Sequence, residues 1–447
     1  MKQQADQTNL LEGSISKHLI RLAIPSSMGM VFNTLYNLSD YWFAGRLSSE
    51  ALAGVSIASS VFFLLIAAGF GIQIGASAVI APYLGANKTV EAKRWSGEVL
   101  GLSLLASALI MVLGWWFTVP MVNLLGAESD VAPFAITYIR YTLVAVPAFM
   151  VGFAAAGILM ANGDTKSNRN ALAIGLGLNL VLNPIFMFTF GWGVAGLAIA
   201  TGLIKIITAF YLLHKIGVVT NEKTPQPAFN MTQWMPLAKQ VLPASFNMLS
   251  VILGGFITVA IIGRFGSQHI AGYSIGLRLE QLLLLPALGM NSAVMAIAGQ
   301  NFGAGKSDRV EQTYLESLKI GLAMAAVSIP VMVFLSPLLM NFFTDSPAIV
   351  STGTAYLRID SIAFYAYVVL FLTTATLQAI KQPLFPMALG LARHLVVPVS
   401  INVLLVVYLD FPMLSIFYTL ICVVLISAVS AHLFTRWRLS ELKDFIA

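Results

Sequence analysis

Asn33, Tyr36, Asn37 and Asp40 fall at i, i+3, i+4 and i+7 of a stretch that is otherwise apolar or small and runs from Pro25 to Arg46. On a helix this spacing draws one polar stripe that ends in a carboxylate. Inside a membrane such a carboxylate is costly unless it meets water or a partner, and groups of this kind mark proton and ion pathways. Pro25 brings no amide hydrogen and invites a kink about four turns before Asp40. Asp40 is therefore read as a coupling acid and Pro25 as a hinge. The competing reading is that Asp40 caps the water end of the helix, close before Gly45.

The elements that carry this stripe follow from composition. The chain has 447 residues, 58% hydrophobic and 10% charged, with a mean hydropathy of +0.84. A soluble domain carries about 25% charged residues, so the chain reads as a polytopic membrane protein. The single cysteine, Cys422, excludes an intramolecular disulfide. The five dispersed histidines show no metal-ligand spacing, so no metal is expected. The polar N-terminus lacks the apolar core of a signal peptide, and the first span is expected to be retained. The net charge of +6 sits in short loops between apolar runs, which fits the positive-inside rule better than a nucleic-acid partner.

Windows of about 19 apolar residues give twelve spans, near 18–44, 51–81, 95–118, 132–160, 170–190, 193–214, 239–262, 269–300, 313–338, 350–380, 387–408 and 412–435. The termini and the loops after even-numbered spans, with their flanks, hold 18 of the 25 Lys and Arg, Lys2 among them, and the opposite loops hold Arg46 and Arg264. Both termini are therefore expected on the cytoplasmic side. The longest polar connection, 216–238, divides an N-lobe (1–215) from a C-lobe (239–447).

The two lobes are repeats. At an offset of 218, residues 25–88 match 243–306 at 18 of 64 positions, including Pro25/Pro243, Gly45-Arg46/Gly263-Arg264 and Gly85-Ala86/Gly303-Ala304. The same offset pairs Tyr138 and Arg140 with Tyr356 and Arg358. Six spans per half is an even number, so the pseudo-twofold axis runs along the membrane normal. The expected fold is all-α, with twelve transmembrane helices in two six-helix lobes. Positions kept in both halves suit packing, and those present in one half suit chemistry. Asp40 aligns with Thr258, which makes the carboxylate an N-lobe feature. In the C-lobe, Arg278 and Glu280 lie in the eighth span, where Glu280 is read either as half of a structural pair with a cation or as a substrate-binding acid.

Several motifs in this order resemble the multidrug and toxic compound extrusion family, in particular its branch named after DNA-damage-inducible protein F. They are Leu10-Leu-Glu-Gly-Ser-Ile-Ser-Lys-His-Leu-Ile-Arg-Leu-Ala-Ile-Pro25, Asp40 with Gly45-Arg-Leu-Ser-Ser-Glu-Ala-Leu-Ala-Gly54, Arg278-Leu-Glu-Gln-Leu-Leu-Leu-Leu-Pro286, and Gly299-Gln-Asn-Phe-Gly-Ala-Gly305. The resemblance implies a monomeric two-lobe exporter in a bacterial cytoplasmic (inner) membrane. Such an exporter exchanges protons or sodium for amphipathic, often cationic compounds, with no cofactor beyond the coupling ion.

It also implies that Asp40 is the coupling acid. The family's fifth-span pattern of Asn, three residues, Asp and Pro stands here as Asn179-Leu-Val-Leu-Asn183-Pro184, with Asn in place of the acid. Asn179 and Asn183 share a helical face, either as donors to Asp40 or as glue between helices. Tyr138 and Thr201 resemble the other members of this cluster, although Tyr356 repeats Tyr138. The sodium-type branch uses acids in its seventh and tenth spans. Here the seventh has none and Asp360 is placed near a helix start, which favours protons.

The mechanism expected is proton-driven antiport, with protonation of Asp40 bending the first span at Pro25. The alternatives are sodium coupling, or a flippase for lipid-linked saccharides that uses Arg140, Lys205, Arg278, Arg358 and Arg393. An enzyme is not expected, because no nucleophile, acid and base converge in the sequence. No Gly-rich phosphate loop indicates the use of ATP.

Overall fold

The computed structural model describes residues 9–446, all helix, turn and loop, with no strand among the described residues. Lys2, counted above for orientation, lies outside them. The first half comprises α1 (Ile15–Leu47), α2 (Ser49–Gly85), α3 (Thr89–Leu124), α4 (Ala132–Val144), α5 (Val146–Ala161), α6 (Lys166–Pro184) and α7 (Gly193–Thr220). The second comprises α8 (Met231–Ile262), α9 (Ser267–Gly303), α10 (Ser307–Phe334), α11 (Ser336–Asn341), α12 (Pro347–Asp360), α13 (Phe364–Ala379), α14 (Leu384–Leu391), α15 (Val397–Asn402) and α16 (Leu414–Ile446).

Among the described residues ten helical stretches are long and apolar enough to cross a membrane, and α4 with α5 crosses as one bent pair. The twelfth span is α1, whose 33 residues are long enough but whose polar stripe keeps it out of the most apolar set. Many large apolar side chains, such as Trp115, Trp116 and Phe117 on α3, are exposed, as expected for faces that meet lipid.

The repeat is realised helix by helix. Residues 49–85 (α2) and 267–303 (α9) have bounds that differ by 218, as do 146–161 (α5) and 364–379 (α13). The offset also relates two π-helical turns, which begin at Ile185 and Val403. In the first half α4 and α5 meet at 57°. Pro147, at the second position of α5, has no amide hydrogen to continue the ladder, which accounts for the break. In the second half the corresponding break is a 3₁₀ turn at Ser361–Ala363.

Small residues let the helices approach closely, as is common where lipid supplies no hydrophobic drive to pack. A Cβ on Gly157 of α5 would stand 2.3 Å from the carbonyl oxygen of Gln73 on α2. Ala154, Ala155 and Ala161 of α5 are fully buried around it.

By packing, the described chain forms two compact units, one of residues 25–245 and one of Leu10–Ile24 with the residues from 246 onward. The boundaries therefore fall inside α1, at Pro25, and inside α8, shortly after Pro243. The division at the polar connection had placed residues 10–24 with the first half and 239–245 with the second. The connection itself is shorter than its polarity indicates, because helix covers 216–220 and 231–238 and leaves 221–230 between. The cause is tertiary. Glu98 of α3, buried, accepts from the amide of Asn230 at 3.0 Å and the indole N–H of Trp234 at 3.1 Å, which anchors the start of α8.

Candidate functional site

In the first unit Asp40 is 7% exposed, and one of its oxygens is doubly held. Asn179 Nδ2 donates to Asp40 Oδ1 at 2.7 Å and Asn183 Nδ2 donates to the same oxygen at 2.9 Å. The two carboxamides are one turn apart on α6, just before Pro184 and the π-helical turn, and both are fully buried. Their own oxygens, Asn179 Oδ1 and Asn183 Oδ1, have no hydrogen-bond partner among the described residues. Asp40 is therefore an internal member of a polar cluster rather than a cap at the water end of α1.

Tyr36, one turn earlier on α1, donates to Thr201 Oγ1 of α7 at 3.2 Å. Tyr138 of α4 is buried beside Thr201 and Asp40. The structure thus brings together Tyr36, Asp40, Tyr138, Asn179, Asn183 and Thr201. Asn33 and Asn37 are different: both are exposed. Successive residues on a helix are about 100° apart, so Tyr36 lies about 60° to one side of Asn33 and Asn37 about 40° to the other. The edge of the packed face runs along the stripe, with Tyr36 and Asp40 inside it. Pro25 lies within α1, which runs helical through it.

The sequence reading missed one member. Lys205, one turn after Thr201 on α7, is partly buried, with Nζ 5.0 Å from the ring centroid of Tyr36 and 5.1 Å from that of Phe149. It interacts electrostatically with Asp40 without a direct ion pair. The sequence reading names Lys205 only among the flippase cations, and its i, i+4 spacing from Thr201 was the available signal. The other cations weighed for a flippase are held separately. Arg140 stacks on Trp115 at 4.9 Å, Arg358 Nε donates to the carbonyl of Val333 at 3.1 Å, Arg393 contacts His394 at 2.7 Å, and Arg278 is exposed.

In the second unit Glu280 of α9 is 4% exposed and accepts from the hydroxyl of Tyr356, the repeat mate of Tyr138. Arg278 does not pair with it. Residues i and i+2 lie on different faces of a helix, and Arg278 points outward. Asp360 is corrected as well. It ends α12 midway along its span, is 2% exposed, and accepts from Tyr367 at 3.0 Å. Glu280 and Asp360 are close enough to interact as charges, so the second unit holds two acids served by tyrosines.

A family model described as MatE matches the chain twice, over residues 25–185 and 243–404. The chain belongs to the MatE family. The two matches begin 218 residues apart (243 − 25), the offset of the internal repeat. Among curated proteins the chain is 26% identical over 397 residues to an FAD transporter of Shewanella oneidensis, covering 87% of each. It is 25% identical over 389 residues to the probable multidrug resistance protein YoeA of Bacillus subtilis, covering 85% of this chain and 84% of that one. Among solved structures, a MATE in the bent conformation superposes with a TM-score of 0.92 at 26% identity, covering 99% of both chains. These MatE relatives are named as transporters or resistance proteins rather than enzymes.

Proposed function

We propose that this MatE protein is a proton-coupled exporter of amphipathic compounds. In this reading it acts as a monomer in a bacterial cytoplasmic membrane with both termini inside. The observation that carries the reading is the carboxylate of Asp40, buried on the same helix as Pro25 and held at one oxygen by two carboxamides. An ionised Asp40 takes both amide donors. A protonated one carries a donor of its own, and the hydrogen bonds linking α1 to α6 must rearrange. Coupling exists only if the two conformations differ in proton affinity at Asp40. Pro25 supplies the weak point at which α1 bends while the rest of the unit keeps its packing.

Sodium is the second reading. The partnerless oxygens of Asn179 and Asn183 beside a carboxylate form a set of hard oxygen ligands, the kind that group-one and group-two cations take. The flippase reading has less support, since its five cations each have a separate setting.

The test is efflux from proteoliposomes under an imposed pH gradient, with and without sodium, for wild type and Asp40→Asn. Sodium-independent efflux that collapses in a folded Asp40→Asn protein supports the proton reading. Efflux that needs sodium at any pH gradient replaces it with the second.

A further inference from the structure

Lys205 has a setting that proton coupling does not use. Its ammonium lies between the faces of Tyr36 and Phe149, both buried, and touches no carboxylate. Its Nζ donates to no side chain or carbonyl among the described residues, although an ammonium offers three donors. Aromatic faces attract the charge but accept no full hydrogen bond from it. A partly buried ammonium left in this way is costly unless something else completes it. Asp40 contributes attraction over a gap, and its oxygen Oδ1 is already committed to two amides.

From this placement, and resting on the reading of the Asp40 cluster as the transport site, we infer that Lys205 sets the charge of the substrate. The transported compound carries a carboxylate or phosphate group on an aromatic body. The anion completes the ammonium, and the aromatic body lies against the rings that frame it. Lipophilic cations are disfavoured. With Asp40 ionised the ammonium and the carboxylate cancel, and with Asp40 protonated the ammonium stands alone, so neither state offers net negative charge to a cation. An anion at Lys205 and a proton at Asp40 attract each other. Exchange, rather than joint movement, then requires that the bend of α1 disturb the anion's place at Lys205.

The experiment uses reconstituted full-length protein and two dyes that share a xanthene skeleton, anionic fluorescein and cationic rhodamine 123. Wild type is expected to export fluorescein in preference to rhodamine 123. Lys205→Met is expected to lower that preference by at least about tenfold, the factor for roughly 1.4 kcal/mol of lost charge interaction. Lys205→Arg should keep the preference, and Lys205→Gln serves as a second neutral variant should the Met protein melt early. A preference that stays within about twofold in both neutral variants, while Asp40→Asn abolishes export, overturns the inference alone. So does a wild type that prefers rhodamine 123. Unchanged export of both dyes by Asp40→Asn overturns the transport-site reading and this inference with it.

Discussion

Glu98 and Glu316 hold equivalent residues at the openings of two first helices. Trp234 donates to Glu98 at 3.1 Å and Ser16 donates to Glu316 at 2.8 Å. The two acids are 218 residues apart (316 − 98), and so are the residues they hold (234 − 16). The same clasp is built twice, in settings of different depth. Glu98 is 2% exposed and also takes the amide of Asn230, whereas Glu316 is partly exposed and shares its charge with Lys319.

Glu98→Ala is therefore expected to be the more damaging of the two, because it removes a buried acceptor and strands two partly buried donors, at about 1–3 kcal/mol. Glu316→Ala should cost about 0–1 kcal/mol, as for other exposed polar pairs. Thermal melts in detergent compare them, and a larger loss at Glu316 would contradict the assignment of depth.

Pro25→Ala should fold and favour an unbent α1. Proline costs about 3 kcal/mol relative to alanine inside a helix, so the bent state is disfavoured by up to about a hundredfold. Efflux should slow while the melting temperature holds or rises. Undiminished efflux would show that α1 does not bend there.

Tyr356→Phe removes the donor to buried Glu280 and should cost about 1–3 kcal/mol. Arg278→Gln changes an exposed side chain and should stay within about 0.5 kcal/mol. Parallel melts check both, and a destabilising Arg278→Gln would revive the ion pair that the structure does not contain.

Asn183→Asp places a second carboxyl where an amide nitrogen now lies 2.9 Å from Asp40 Oδ1. Two adjacent carboxylates repel unless a proton or a cation lies between them. Efflux by this variant is expected to become sodium-stimulated at a fixed pH gradient. A sodium response no different from wild type would show that Asn183 does not set the choice of ion.

Much of the architecture could be read along the chain. The repeat survives as Gly, Pro and Arg at a constant spacing, and apolar length marks each crossing. What escaped depends on contacts between distant segments. The start of α8 is set by Glu98, more than a hundred residues away, so a locally polar stretch folds as helix. Four residues of α1 share a stripe, yet only Tyr36 and Asp40 lie inside the packed face, and the position of its edge is decided by α6 and α7. Arg278 and Glu280 are close in sequence but point apart. Asp360 looked terminal because the break at Ser361–Ala363, which puts it in mid-span, has no proline to announce it. Lys205 was weighed only as a flippase cation, since nothing in its own neighbourhood names Tyr36 and Phe149.

The most direct measurement is the proton exchanged on substrate binding by the purified protein in weakly buffered detergent, across pH 5 to 8, for wild type and Asp40→Asn. A change of about one proton per bound substrate at most is expected from wild type, and none from the variant. Equal exchange by both proteins, or binding by wild type with no proton exchanged at any pH, would contradict Asp40 as the coupling acid.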